Sequence, residues 1–355
     1  MVPRAEEPHL SDQPRFAAAV PRAAPRAGTA RRVSSLVIAV AVLVLAVFAS
    51  IMFGSRTTSF GDVLHVLSGT ADPNVTTIVE SRYPRTALGL LAGLCLAVAG
   101  TLMQGVTRNP LADPGLLGIN AGASASIVAA TAFLGATGST ETMWWALPGA
   151  LIAGLLVHAI GSAGSGSGLV RLVLAGAVLS AVLMAFIQAV TLSRPKVFDS
   201  YRYWVVGALG GRDFDVFWSV LPFAVAGLVI AAVLGPGLNA LALGDSTAAS
   251  LGARPALVRA GGLLSATLLS AAATAAVGPI AFVGLAVPHV VRALVGVDFR
   301  MQILFSALVG PALLLLADVV GRVVMRPQEL MVGVVTAFIG APALLVAVRR
   351  MRGNS

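Results

Sequence analysis

Val33–Phe53 reads VSSLVIAVAVLVLAVFASIMF, 21 residues without a charged side chain. A helix of that length rises about 31 Å, enough to cross a hydrocarbon core of roughly 30 Å. Arg31-Arg32 stands just before it, as in a twin-arginine signal. The apolar core is longer than that of a signal peptide, and no small-x-small cleavage site follows it. A transmembrane span is therefore expected. Working outward, further apolar runs cover 86–106, 116–136, 143–160, 169–192, 216–234, 258–277, 281–296, 302–323 and 331–348. Ten spans would leave both termini on one side. The eighth run is short and holds Pro288, so a partial crossing is the alternative there.

The composition agrees. The 355 residues are 57% hydrophobic and 11% charged, with a mean hydropathy of +0.90. Soluble domains average about 25% charged residues. An ordinary cytosolic enzyme, a disordered protein and a nucleic-acid binder are excluded. With Cys95 as the sole cysteine, no intrachain disulfide is possible. The net charge of +9 owes much to Arg4, Arg15, Arg22, Arg26, Arg31 and Arg32. Residues 1–32 are rich in Pro and Ala and lack an apolar period, so a disordered cytoplasmic tail facing anionic headgroups is expected. Residues 33–350 then form a single polytopic domain in the bilayer. A modest excess of arginine on the side of the termini puts that side in the cytoplasm.

Three connections are longer than turns. Gly54–Arg85 and Ser193–Asp215 lie outside, and Tyr201, Tyr203 and Trp204 in the second suggest a short helix at headgroup level. Gly235–Arg259 lies inside and reads as two short surface helices separated by Gly244 and Gly252. Many of the 38 glycines lie inside spans, as at Gly89, Gly93 and Gly100, where small residues let helix backbones approach. Pro110, Pro114, Pro279, Pro288 and Pro342 break or bend helices, and broken helices at membrane depth belong around protein or a watery cavity. These features suggest a transporter.

Several chemistries are missing. Lys196 is the sole lysine and lies in Arg194-Pro195-Lys196-Val197, so no Walker A loop exists. His9, His65, His158 and His289 do not cluster with Cys or Glu as metal ligands would. A rhomboid-like pair of Ser124 or Ser126 with His158 or His289 lacks the GxSG signature. Asp318 is the acid well inside an apolar run, with Arg322 at i+4 as a helical ion-pair partner. Ion coupling usually needs more acids than that in the bundle. An ion-coupled secondary transporter is therefore the competing class, and the structured cytoplasmic segment favours an external motor.

Five ordered motifs carry a resemblance. Arg82-Tyr83-Pro84-Arg85, followed by GLLAGLCLAVAGTLMQGVTRNPLADPGLLGINAGA from Gly89 to Ala123, resembles the FecCD-type permeases. RLVLAG (171–176), LGDSTAASLGAR (243–254), GPIAFVGLAVPHVVRALVGVDFR (278–300) and LLLLADVVGR with ELMVGVVTAFIGAP (313–342) follow in the family's order. Departures are Ser246, Phe299, Leu304 and Met331, all at element ends. The resemblance implies an all-α integral membrane protein of about ten transmembrane helices, the type II ABC importer permease fold. It implies alternating access without chemistry on the substrate, and no cofactor in this chain; ATP and Mg act through a partner ATPase. The implied partners are cytoplasmic ABC ATPase subunits, an extracytoplasmic substrate-binding protein and a second permease chain, identical or paralogous. An intact ferric siderophore is the expected cargo, with cobalamin and haem as alternatives.

The resemblance also assigns roles. Arg82, Arg85 and Arg322 would dock the binding protein. Gly244, Asp245, Ser250, Leu251, Gly252, Ala253 and Arg254 would couple to the ATPase. Gly161, Ser162, Ser165, Gly166, Ser167 and Gly168 would form the cytoplasmic gate.

Overall fold

The computed structural model describes residues 29–56, 58–136, 138–162 and 168–352. All regular structure among them is helical: fourteen α-helices, a 3-10 turn at Pro114–Leu117 and a π-helical turn at Ala130–Leu134. These are α1 (Thr29–Met52), α2 (Phe60–Leu67), α3 (Pro73–Glu80), α4 (Arg82–Thr107), α5 (Ile119–Ala129), α6 (Ser139–Ser162) and α7 (Gly168–Ser193). Then come α8 (Pro195–Val205), α9 (Phe214–Ala242), α10 (Asp245–Ser250), α11 (Pro255–Val277), α12 (Val283–Val295), α13 (Phe299–Val324) and α14 (Val332–Arg352). Seven helices, α1, α4, α6, α7, α9, α11 and α13, are long and apolar enough to cross a membrane. Shorter apolar helices cover Ile119–Leu134, Val283–Val295 and Val332–Pro342.

The bundle is organised around α4. This helix is buried along most of its length and packs against α13, α11, α12 and α9. Lipid tails are as apolar as leucine, so helix association in a bilayer relies on close packing and polar contacts. Both are present. A Cβ on Gly100 would lie 1.8 Å from the carbonyl oxygen of Gly284, so α4 and α12 touch backbone to backbone. Gly93 meets Gly310 and Pro311 of α13 in the same manner, and Gly122 of α5 meets Gly149 of α6. Buried hydroxyls add specific links. Thr101 pairs with Ser306 at 2.7 Å, Ser265 donates to the Gly227 carbonyl at 2.6 Å, and Thr274 donates to Asn120 Oδ1 at 3.0 Å.

Between α11 and α12 the chain leaves the helix at Gly278-Pro279 and re-enters it after Phe282, whose φ is 69°. The 13 residues of α12 rise about 20 Å, less than the hydrocarbon thickness, and Pro288 sits inside the helix without breaking it. The connection between α8 and α9 fills the space above the break. Ala208 N donates to the Val277 carbonyl at 2.8 Å, and the Gly207 carbonyl accepts from Gly333 N at 3.2 Å.

Two expectations change. The Gly54–Arg85 connection contains α2 and α3, each opened by a side-chain cap. Ser59 and Asp62 make a reciprocal capping box, and Asp72 accepts from Asn74 N ahead of Pro73. At the other end, α9 runs through Pro236 to Ala242, taking the first third of the expected surface segment. Gly235 there packs on Arg300 and Gly237 on Val258. That packing offsets the hydrogen bond a helical proline forfeits. One short helix, α10, remains where two were expected.

Candidate functional site

The sequence places Arg82 and Arg85 in the first turn of α4 and Arg322 in the last turn of α13. The structure brings all three together around the C-terminus of α1. The last carbonyls of a helix lack partners, and its dipole favours cations there. Arg82 Nη1 donates to the carbonyls of Ile51 at 2.7 Å and Met52 at 2.9 Å, and to Thr58 Oγ1 at 2.8 Å. Arg322 Nη1 donates to the Ser50 carbonyl at 3.0 Å, and its Nη2 to Ser50 Oγ at 3.1 Å. Ser50 in turn pairs with Thr86 of α4 at 2.8 Å.

Asp318 pairs with two of the three arginines. It receives Arg85 in bidentate geometry, Nη2 to Oδ1 at 2.7 Å and Nε to Oδ2 at 3.0 Å, and Arg322 Nη2 at 3.0 Å. Arg85 Nη1 reaches Glu329 at 2.8 Å. Burial would raise the Glu329 carboxyl, but the Arg85 charge and hydrogen bond hold it below its ordinary range. The expectation of a free surface patch is therefore corrected in one respect. Arg322 is 1% exposed and Arg82 5%, both committed to α1. Together with Arg56, Arg85 and Glu329 they still line a cleft of about 240 Å³. Glu329, Ser50 and Thr86 had no role assigned from sequence; the Glu329–Arg85 pair joins positions 244 apart in the chain.

At the far end of α4 lies the expected coupling segment. Gly244, at φ 109°, turns the chain from α9 into α10, and Gly252, at φ 80°, turns it out again before Arg254 and Pro255. A side chain at either φ is strained. Asp245 does not point away from the bundle. Its carboxylate takes Arg259 of α11 through two bonds of 2.7 and 2.8 Å, and Arg108, the residue that ends α4 in left-handed geometry. Hydrogen bonding from Arg259 holds the Asp245 carboxyl below its ordinary value. Ser250 donates to the Ser246 carbonyl at 3.0 Å, closing the helix on itself. Leu251, 63% exposed, is the apolar side chain that α10 offers outward, next to Gly252 and Ala253. Close by, Asn239 of α9 donates to Asp298 at 2.8 Å, the residue that caps α13. Asp245, 49% exposed, is thus also a clamp within the chain. Arg108 and Arg259 were missed because nothing in their spacing to Asp245 points to a contact.

Of the expected gate, Gly161 and Ser162 close α6 and Gly168 opens α7. Ser165, Gly166 and Ser167 lie outside the described residues. Ser124, once a candidate nucleophile, is hydrogen-bonded to Tyr201. Among the described residues no three His, Cys, Asp or Glu side chains group as metal ligands.

The sequence profile of the FecCD transport family matches residues 42–350. The chain is 47% identical over 312 residues to the ferric enterobactin transport system permease protein FepD of Escherichia coli, covering 87% of this chain and 93% of that one. It is 41% identical over 271 residues to the Fe(3+)-citrate import system permease protein YfmD of Bacillus subtilis, covering 76% and 80%. Among solved structures, an inward-facing metal-chelate type ABC transporter superposes with a TM-score of 0.78 at 25% identity, covering 90% of this chain and 99% of that one.

Proposed function

The chain belongs to the FecCD transport family, and from that premise we propose that it is the transmembrane permease subunit of an ABC importer carrying an intact ferric siderophore. It is a multi-pass membrane protein, and ATPase and substrate-binding subunits are the partners that the family implies. The relatives named for ferric enterobactin and ferric citrate support an iron chelate as the cargo.

The observation that carries the mechanism is the way α4 joins two ends of the bundle. Arg82 and Arg85 sit in its first turn, beside the basic cleft; Arg108 follows its last turn, clamped to α10. The 26 residues between rise about 39 Å. We place the binding protein over the cleft, with acidic side chains entering between Arg56 and Arg85, and the ATPase against α10. Exposed ion pairs are each worth only about 0.2–1 kcal/mol, so several such contacts orient the partner more than they hold it. A six-residue helix bonded to α4 and α11 passes motion of the motor to the two most enclosed helices. Ten spans follow if the three shorter apolar helices also cross, the termini then facing the cytoplasm. A second permease chain is expected against α7, whose apolar face is left open by the rest of the bundle.

The test is reconstitution. The chain, purified with its ATPase subunit and binding protein, should import a radio-iron siderophore into proteoliposomes only with ATP. Import driven by a proton or sodium gradient without ATP refutes the reading. Reversing the exposed Arg56 to Glu, which leaves the buried cluster intact, should weaken capture of the binding protein; unchanged capture at physiological salt would move the docking site elsewhere.

A further inference from the structure

The short helix α2 turns two large apolar side chains outward. Phe60 is 60% exposed and Leu64 57%, whereas Val63 between them is buried in the bundle. Positions four apart share one side of a helix, so Phe60 and Leu64 form a single stripe. Asp62 and His65 lie about 120–180° around the helix from that stripe. The capping box of Ser59 with Asp62 fixes where the helix starts, and with it the direction of the stripe. An exposed apolar stripe opposite a polar side marks a surface made for contact.

Its neighbour shows what covers it. The Phe60 ring lies 6.2 Å from the ring of Phe48. Phe48 is itself exposed and shares one side of α1 with the exposed Val37 and Val44. On a helix that crosses a bilayer, such a side meets acyl chains. Phe48 also lies inside the uncharged run, four residues and about 6 Å before the end of α1 at Met52. The chain therefore turns after Met52 and brings Phe60 back to the level of the last turn of the span. The stripe on α2 continues the lipid-facing side of α1.

We propose that α2 is an interfacial anchor, with Phe60 and Leu64 seated among phospholipids at the C-terminal end of α1 and Asp62 and His65 facing water. Anchors of this kind lie about 5–10 Å deep, at the boundary of headgroups and acyl chains. The anchor holds one lip of the basic cleft. Between α1 and α2, the Arg56 carbonyl and the Thr58 hydroxyl accept from Arg82 at 3.1 and 2.8 Å, and Arg56 lines the cleft. With lipid contacts on both flanks of this segment, the bilayer surface sets the height of the lip. The anchor needs only that the chain crosses a bilayer; it depends on neither the cargo nor the motor.

The experiment uses the full chain in nanodiscs of phosphatidylethanolamine and phosphatidylglycerol. A bimane fluorophore is attached at Leu64→Cys or, for comparison, at His65→Cys; Cys95 is fully buried and does not compete for the label. Quenching is read with lipids carrying a nitroxide near the headgroup or deep in the acyl chain, and with aqueous iodide. At position 64 the shallow nitroxide should quench severalfold more than at 65 and more than the deep one, and iodide severalfold less. Equal iodide quenching at both positions, without lipid quenching, overturns the anchor, because the stripe then meets water. Protection from iodide at 64 that comes without lipid quenching also overturns it, and assigns the stripe to a second copy of the chain. The lip is read by a spin label on Arg56→Cys. Phe60→Gln with Leu64→Gln replaces exposed side chains, so the fold should stand. The label's rotational correlation time should shorten severalfold in that variant, and an unchanged value overturns the hold on the cleft. The labels at 64 and 65 decide the anchor without that variant.

Discussion

Replacing Asp318 by Asn probes the most enclosed charge cluster of the protein. Asp318 and Arg322 are each 1% exposed, and Arg85 shares the same carboxylate. Removing the charge leaves two guanidiniums with Glu329 as the nearest carboxylate, 34% exposed and bonded to Arg85 rather than Arg322. Breaking a buried ion pair by removing one partner costs about 3–5 kcal/mol, because the other charge stays desolvated. Asn keeps one acceptor oxygen and Arg322 keeps its bonds to Ser50, so the lower figure of about 3 kcal/mol is expected. A second variant separates this cause from general damage. In Asp318→Asn with Arg322→Gln the orphaned charge is gone as well, and stability should recover by about 1 kcal/mol or more. Reversible unfolding in mixed micelles measures both. An Asp318→Asn loss below about 1 kcal/mol, or a double variant less stable than the single one, would refute the buried-charge argument.

Gly100→Leu forces α4 away from the Gly284 carbonyl and should prevent accumulation of folded chain, whereas Gly100→Ala should already lower thermal stability measurably. Asp245→Ala removes partly exposed pairs worth about 0.2–1 kcal/mol each, so the fold should survive. The ratio of substrate moved to ATP hydrolysed should fall severalfold, and an unchanged ratio would clear the clamp of a role. Gly252→Val meets open space but a φ of 80°, which adds about 1–2 kcal/mol of strain; insertion should be normal and coupled uptake reduced. Glu329 is held below its ordinary 4.5, so the stability it lends is complete above that pH and lost as pH falls through the lower folded value. Melting curves of Glu329→Gln and wild type should therefore differ by a constant amount from pH 7 to about 5 and converge only once the pH has fallen below the lowered folded value.

What was legible in the sequence follows from period and punctuation. Uncharged runs and their flanking arginines gave the apolar helices to within a few residues, the C-terminal end of α9 excepted, because desolvation of a charge dominates local preference in a bilayer. Tyr201, Tyr203 and Trp204 indicated α8, and Gly244 and Gly252 marked the turns around α10. Pro236 misled, since its local signal ends a helix while Gly235 and Gly237 pack that same helix onto Arg300 and Val258. The arginines were identified as a group, but not their burial, since Ser50 and Glu329 lie far away in sequence. The clamp at Asp245 was not legible, because its partners, Arg108 and Arg259, come from two other helices.

The glycine contacts along α4 have a consequence for how the protein moves. Where two backbones touch, no side chain stands between them to change rotamer and take up slack. Helices α4, α12 and α13, joined at Gly93, Gly100, Gly284 and Gly310, are therefore expected to move together. A displacement imposed at Arg108 would then be carried along α4 toward Arg85, like the stroke of a rod. On that expectation, the give needed to open a passage would come from the periphery, above all from α7 and its open face.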